Sequence, residues 1–188
     1  MLLQPVAGYR AGLDAVVLAA SLHGTLHTGA SVLDLGAGVG TVGLCLAARH
    51  PGASVTLLER EPVLARMAAR NIERNGLAGR VRLVEGDLEM PSARLAQCGL
   101  APDSFDYVMA NPPFHIEGRG KSPPDALRAA AHVMPAGGIE RWTRVMARVA
   151  RPGGTAVMIH RADALLGILT AFEGRFGGIG VTPVCPRP

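Results

Sequence analysis

Lysine is almost missing from this chain: Lys121 is the only one among 19 basic residues, and the rest are arginine. Cysteine is scarce as well. Cys45, Cys98 and Cys185 lie far apart without paired spacing, so neither a zinc site nor a disulfide framework is expected, and a reducing cytoplasm suits the chain. No apolar run is long enough to cross a bilayer. The best window, Leu13 to Leu22, has about half the required length and carries Asp14. A secretory leader is not expected either, because Gln4, Pro5, Tyr9 and Arg10 interrupt any basic-then-apolar layout. Repeats and low-complexity linkers are also missing. What is present suits a single domain: 188 residues, 48% of them apolar, with mean hydropathy +0.25. The net charge of +4 and pI near 9.5 permit a polyanionic partner. The arginine bias fits a GC-rich coding sequence better than selection for phosphate binding, so charge alone does not single out RNA.

Short apolar runs alternate with helical segments, the pattern of a parallel sheet covered by helices. Strands are expected at Ser31 to Leu35, Ser54 to Glu59, Arg80 to Glu85, Phe105 to Ala110 and Gly154 to His160. Each is short and apolar, as strands buried on both faces are. Helices are expected at Gly12 to His23, Thr41 to Arg49, Pro62 to Asn75, Ile139 to Ala150 and Ala162 to Glu173. Pro62 stands where a first-turn proline is tolerated, and Gly76 is a stop signal. Arg151-Pro152-Gly153-Gly154 reads as a turn back into the sheet, and Ile179 to Val184 as a last extended run. The widest irregular stretch runs from Asn111 to about Pro124, and loops of that length are often functional.

Between the first strand and the next helix lies Val32-Leu33-Asp34-Leu35-Gly36-Ala37-Gly38-Val39-Gly40. Glycines there admit a ligand close to the backbone, and the following helix offers free N–H groups. Gly38, Gly40 and Gly43 also satisfy the dinucleotide spacing, so a nicotinamide-binding oxidoreductase stays open. Gly36, however, already holds the place directly after the strand. Asp34 sits at the end of the first strand, Glu59 closes the second, and Asp87 follows the third in Glu85-Gly86-Asp87. Open parallel sheets bind ligands at this carboxyl edge. There Asp34 suits an amino group, Glu59 a ribose diol and Asp87 an adenine amino group. Taken singly, each acid is as readily a solvated strand-end residue.

After the fourth strand comes Asn111-Pro112-Pro113-Phe114. An amine conjugated with a heteroaromatic ring or a carbonyl is a poor nucleophile, because its lone pair is delocalised. The Asn111 side-chain oxygen and the Pro112 carbonyl can each accept one of its N–H bonds and draw the nitrogen toward tetrahedral geometry. The prolines restrict the backbone, and Phe114 offers a stacking face. Out of context the motif is equally a rigid proline turn.

In context, these motifs resemble the class I, Rossmann-like S-adenosylmethionine-dependent methyltransferases, within the Asn-Pro-Pro-Phe/Tyr group that modifies amino nitrogens. Gln4-Pro5, followed by Gly8-Tyr9-Arg10-Ala11-Gly12-Leu13-Asp14, further resembles bacterial valine-tRNA adenine-N6 methyltransferases. The resemblance implies an α/β fold: a mostly parallel sheet with helices on both faces, residues 1–28 forming a helical cap and 29–188 the core. No candidate for the family's last antiparallel strand is evident before Pro188. It implies that Asp34, Gly36, Gly38 and Gly40 line the methionine end of S-adenosylmethionine, with Glu59 at the ribose and Asp87 at the adenine. Tyr9, Arg10 and Asp14 would close over the cofactor, and Asn111, Pro112, Pro113 and Phe114 would hold the target base. The expected substrate is an RNA, a tRNA adenine next to the anticodon. Guanine-N2 methylation of ribosomal RNA and glutamine-amide methylation of a protein are the alternatives.

Other residues carry weaker signals. His115, Arg119 and Lys121 follow the motif and are candidate RNA contacts, although a solvated loop is the readier account of each taken singly. The histidines show no metal-like spacing, so no metal is expected. His160-Arg161 ends the fifth strand near the ligand edge. Trp142 shares a helical apolar stripe with Val145 and Val149, which reads as core.

Overall fold

The computed structural model describes residues 1–6, 10–116, 133–134 and 138–185. Its centre is a five-stranded sheet of β1 (Ser31–Leu35), β2 (Ser54–Glu59), β3 (Val81–Glu85), β4 (Phe105–Ala110) and β7 (Ala150–Met158). The strand order is β3-β2-β1-β4-β7 and every neighbouring pair is parallel. Parallel neighbours need crossovers, which α2 (Thr41–Arg49), α3 (Pro62–Arg74), α4 (Ser92–Gln97) and α5 (Gly138–Val149) supply. A short helix, α1 (Leu13–Ser21), precedes the sheet, and a 3-10 turn (Ala162–Ala164) leads into α6 (Leu165–Phe172). Two short strands, β5 (His115–Ile116) and β6 (Val133–Met134), form a separate parallel pair.

Strand residues alternate between two cores, as a period of two requires. Val32, Val55, Leu57, Tyr107 and Met109 face one way, packing with Ala15, Leu18 and Leu22 of the α1 region, Leu46 of α2 and Ile72 of α3. Leu33, Leu35, Leu58, Val108 and Ala110 face the other way, against Leu95 of α4 and Trp142, Val145 and Met146 of α5. The result is three layers, with the sheet buried between helices.

The expected elements stand at nearly the expected places. The 151–154 segment interrupts the pairing: Phe105 opposes Ala150, but Tyr107 already opposes Thr155. The intervening residues bulge outward around Gly153 at φ 76°. The helix α4 was not anticipated from sequence. The run Ile179 to Val184, expected to be extended, forms no strand among the described residues, and Ile179, Val181 and Val184 are exposed. Gly180 weakens a ladder there, and Pro183 cannot donate to one.

Candidate functional site

The parallel sheet brings its strand ends to one edge, and nearly all the described candidate residues lie along it. After β1 the chain turns through Gly36, Gly38 and Gly40, all with positive φ (70°, 59° and 86°), a region that side chains with a Cβ rarely enter. Gly36 also has no room for one: a Cβ there would sit 2.3 Å from Cη2 of Trp142. The indole therefore buttresses the loop from α5, a contact that stripe periodicity alone reads as ordinary core. The Ala37 N–H donates to the Leu58 carbonyl at 2.9 Å, tying the loop to β2.

Asp34 is buried, and its Oδ2 accepts the Gly43 N–H at 2.9 Å. Gly43 is the third residue of α2, and Gly40 before that helix offers no side-chain cap, so Asp34 caps the helix from the neighbouring strand. Gly43 is confined by its surroundings too, since a Cβ would meet Leu57 Cδ2 at 2.4 Å. Burial pushes the Asp34 carboxyl up to about 7; the Gly43 N–H opposes that shift and the Glu59 charge adds to it. Glu59, at the end of β2, accepts the Gly38 N–H on Oε2 and the Glu61 N–H on Oε1, each at 2.7 Å. Burial raises its pKa as well, against those N–H groups and the adjacent Arg60. Two shielded carboxyls beside a glycine loop make a place where a cation or hydroxyl donors are welcome, because a carboxylate keeps further acceptor sites after one bond.

Beyond β3, Asp87 accepts the Glu89 N–H at 2.8 Å and stands 3.5 Å from the Arg60 guanidinium. A cleft of about 480 Å³ opens here, lined by Arg60, Glu61, Glu85, Gly86, Asp87 and Met90. Of these, only Asp87 was singled out from sequence. The rest are brought together by the β2–β3 register, in which Glu59 pairs with Glu85.

At the end of β4, the Asn111 Oδ1 is shielded from solvent and has no hydrogen-bond partner among the described residues. Leaving such an acceptor unmatched costs about 1–3 kcal/mol, which a ligand N–H would offset. Pro112 is buried, and Pro113 and Phe114 are half-buried. Phe114 packs edge-on against His160, with ring centroids 5.1 Å apart and planes at 85°.

Arg10 is exposed and Asp14 half-buried in the first turn of α1, which packs on α2. His115 opens β5. Tyr9, Arg119 and Lys121 lie outside the described residues.

Comparison with known proteins now bears on this geometry. The family model of the methyltransferase small domain matches residues 13–142. The chain belongs to that family. Among relatives of this methyltransferase domain, a tRNA1(Val) (adenine(37)-N6)-methyltransferase of Shewanella sp. (strain W3-18-1) is 34% identical over 111 residues, 59% of this chain and 44% of the relative. A release factor glutamine methyltransferase of Gloeobacter violaceus is 30% identical over 161 residues, 80% of this chain and 53% of the relative. The crystal structure of a predicted O-methyltransferase from Agrobacterium tumefaciens superposes with a TM-score of 0.67 at 30% identity, over 88% of this chain and 69% of that one. The methyltransferase domain thus spans about half the length of these two curated relatives. Its fold is the Rossmann-like methyltransferase fold.

Proposed function

We propose that this chain transfers a methyl group from S-adenosylmethionine to a planar, conjugated amino group, and that the acceptor is the N6 of an adenine in tRNA. The observation that carries the reading is the shielded, unpartnered Asn111 Oδ1 at the end of β4, on the same edge as the glycine loop. The cofactor fits the residues present. Buried Asp34 and Glu59 favour its positive charge and ribose hydroxyls, the glycines admit its chain, and the cleft beside Asp87 suits its adenine. Its sulfonium supplies an electrophilic methyl.

The protein's own part is positioning and electrostatics. Asn111 Oδ1 and the Pro112 carbonyl accept the two N–H bonds of the incoming amine and hold its lone pair toward the methyl. The Phe114 ring supports the plane that bears the amine. No strong general base is required, because the nitrogen becomes acidic as it is alkylated. The tRNA assignment is supported by the adenine-N6 enzymes among the curated relatives. A second reading, glutamine-amide methylation, is favoured by the release factor enzymes among them, since an amide nitrogen poses the same problem. A nicotinamide oxidoreductase leaves Asn111 to Phe114 without a task.

The test has two stages. Calorimetric titration should show micromolar binding of S-adenosylhomocysteine and none of NADH. Labelled methyl transfer should then reach an unmodified valine-tRNA transcript rather than a glutamine peptide. Asn111→Ala should lower kcat about 10²–10³-fold while leaving S-adenosylhomocysteine affinity within about twofold. Full activity of that variant would sink the assignment.

A further inference from the structure

Beside the Asn-Pro-Pro-Phe segment stands a histidine with no task in the mechanism above. His160 follows β7, where Ala110 pairs with Met158 and the Ile159 N–H donates to the Ala110 carbonyl at 3.1 Å. That register holds His160 next to the motif that leaves β4, and its ring stands nearly perpendicular to that of Phe114. Both its ring nitrogens are shielded from solvent and make no well-formed hydrogen bond among the described residues, although the Arg161 and Pro113 backbones lie near enough to act on the ring. Five buried side-chain atoms among the described residues are unmatched in this way, and three of them belong to Asn111 and His160. Unmatched buried polar atoms are rare, so their concentration at one corner of the sheet marks a place built to receive polar atoms from outside.

The chemistry of the acceptor says what His160 contributes. An amine conjugated with a ring nitrogen or a carbonyl always has a hydrogen-bond acceptor two bonds away. Asn111 Oδ1 and the Pro112 carbonyl are acceptors, suited to the amine and useless to that neighbour. A neutral imidazole carries one donor and one acceptor. We propose that His160 is a further substrate-contacting group of the acceptor pocket, beside Asn111, Pro112 and Phe114, donating a hydrogen bond to the acceptor adjacent to the reactive amine and fixing the plane that rests on Phe114. Burial keeps the imidazole toward its neutral form, ahead of the opposing pull of the Arg161 and Pro113 backbones and the Asp163 carboxylate, while the Arg161 charge acts with burial. This inference rests on the methyltransferase reading of the same pocket.

The experiment compares the full chain with His160→Phe, which keeps a flat ring without a donor, and His160→Gln, which restores an amide donor. Each is assayed for methyl transfer from labelled S-adenosylmethionine to the valine-tRNA transcript and to the glutamine peptide, with S-adenosylhomocysteine affinity read by calorimetry. The expected result is a loss of about 10–100-fold in kcat/KM for His160→Phe, cofactor-product affinity unchanged, and substantial recovery in His160→Gln. Unchanged kcat/KM in His160→Phe overturns the proposal while leaving the methyltransferase reading intact. Equal damage in both variants with weakened S-adenosylhomocysteine binding reduces His160 to a packing group and also overturns it. Transfer to neither acceptor by the unsubstituted chain defeats the proposed function, and this inference with it.

Discussion

Asp34 illustrates how a side chain can cap a helix at the expense of its own charge. It caps α2 through Gly43, yet burial beside Glu59 disfavours its charge and raises its pKa to about 7. A carboxyl whose folded pKa is raised makes the native state bind more protons than the unfolded chain. Stability attributable to it is therefore full below its ordinary pKa of about 3.9 and declines as pH rises through 7. Asp34→Asn keeps an oxygen for the Gly43 N–H and removes the charge. It should leave stability unchanged near pH 4 and raise it by about 1–3 kcal/mol at pH 8, seen as a higher midpoint of thermal unfolding. The same change should weaken S-adenosylmethionine binding, and only the unsubstituted chain should bind it more tightly as pH rises from 6 to 8. A variant less stable than its parent at pH 8 would contradict this account.

Between elements, Asn71 is the joint that sequence gives no reason to notice. On α3 it reads as a polar residue of an amphipathic helix, yet it is fully buried. Its Oδ1 accepts the Leu3 N–H at 2.6 Å, and its Nδ2 donates to the Leu3 and Val39 carbonyls, each at 3.0 Å. One amide thus straps the N-terminal segment to α3 and to the glycine loop. Nearby, Asn75 Oδ1 accepts from the N-terminal ammonium, and Gln4 Oε1 from the Ala11 N–H. Asn71→Ala leaves these backbone groups without their partner and should destabilise the fold by about 2–3 kcal/mol, measured by urea denaturation. It should also speed hydrogen exchange at the Leu3 N–H, which Asn71 Oδ1 accepts. Asn71→Asp, which keeps the acceptor and loses the donor, should protect Leu3 N–H better than alanine does.

Across the whole molecule, the two edges of the sheet divide the labour. The carboxyl edge holds unmatched polar atoms, while the amino edge is tied shut around Asp106. That carboxylate accepts the Ser31 N–H at 2.8 Å and the Ser31 hydroxyl at 2.7 Å, and it meets His27 and the Arg151 guanidinium. Tyr107 beside it donates to the Thr25 carbonyl at 2.6 Å. Burial pushes the Asp106 pKa up, but the Ser31, His27 and Arg151 partners together hold it below the usual carboxylate range. Its stabilisation is present above about pH 3.9 and is lost as pH falls through the lower folded value. His27 acts in the opposite window. The Thr28 carbonyl and then Asp106 raise its pKa, so its contribution is present below about pH 6.5 and fades as pH rises past that. Asp106→Asn should cost about 2–4 kcal/mol at neutral pH, and the deficit should shrink below pH 3, read from unfolding midpoints across pH. A deficit independent of pH would show that the charge has no part in it.

The sequence by itself determined the layers, the order of the major elements and the sheet edge along which the candidate residues gather. Apolar runs, Pro62, Gly76 and the Gly36–Gly40 loop are local signals, and parallel strands necessarily end on one side. It also put forward Asn111 to Phe114 as a candidate, because four adjacent residues suggest a chemistry once the strand before them is recognised. Only the tertiary structure decided which distant groups meet. Trp142 against Gly36, Asn71 beneath Val39, His160 on Phe114 and the lining of the 480 Å³ cleft all depend on strand register. Register shifted by a single residue turns every side chain to the other face, and no short-range pattern in one strand records the alignment of its neighbour.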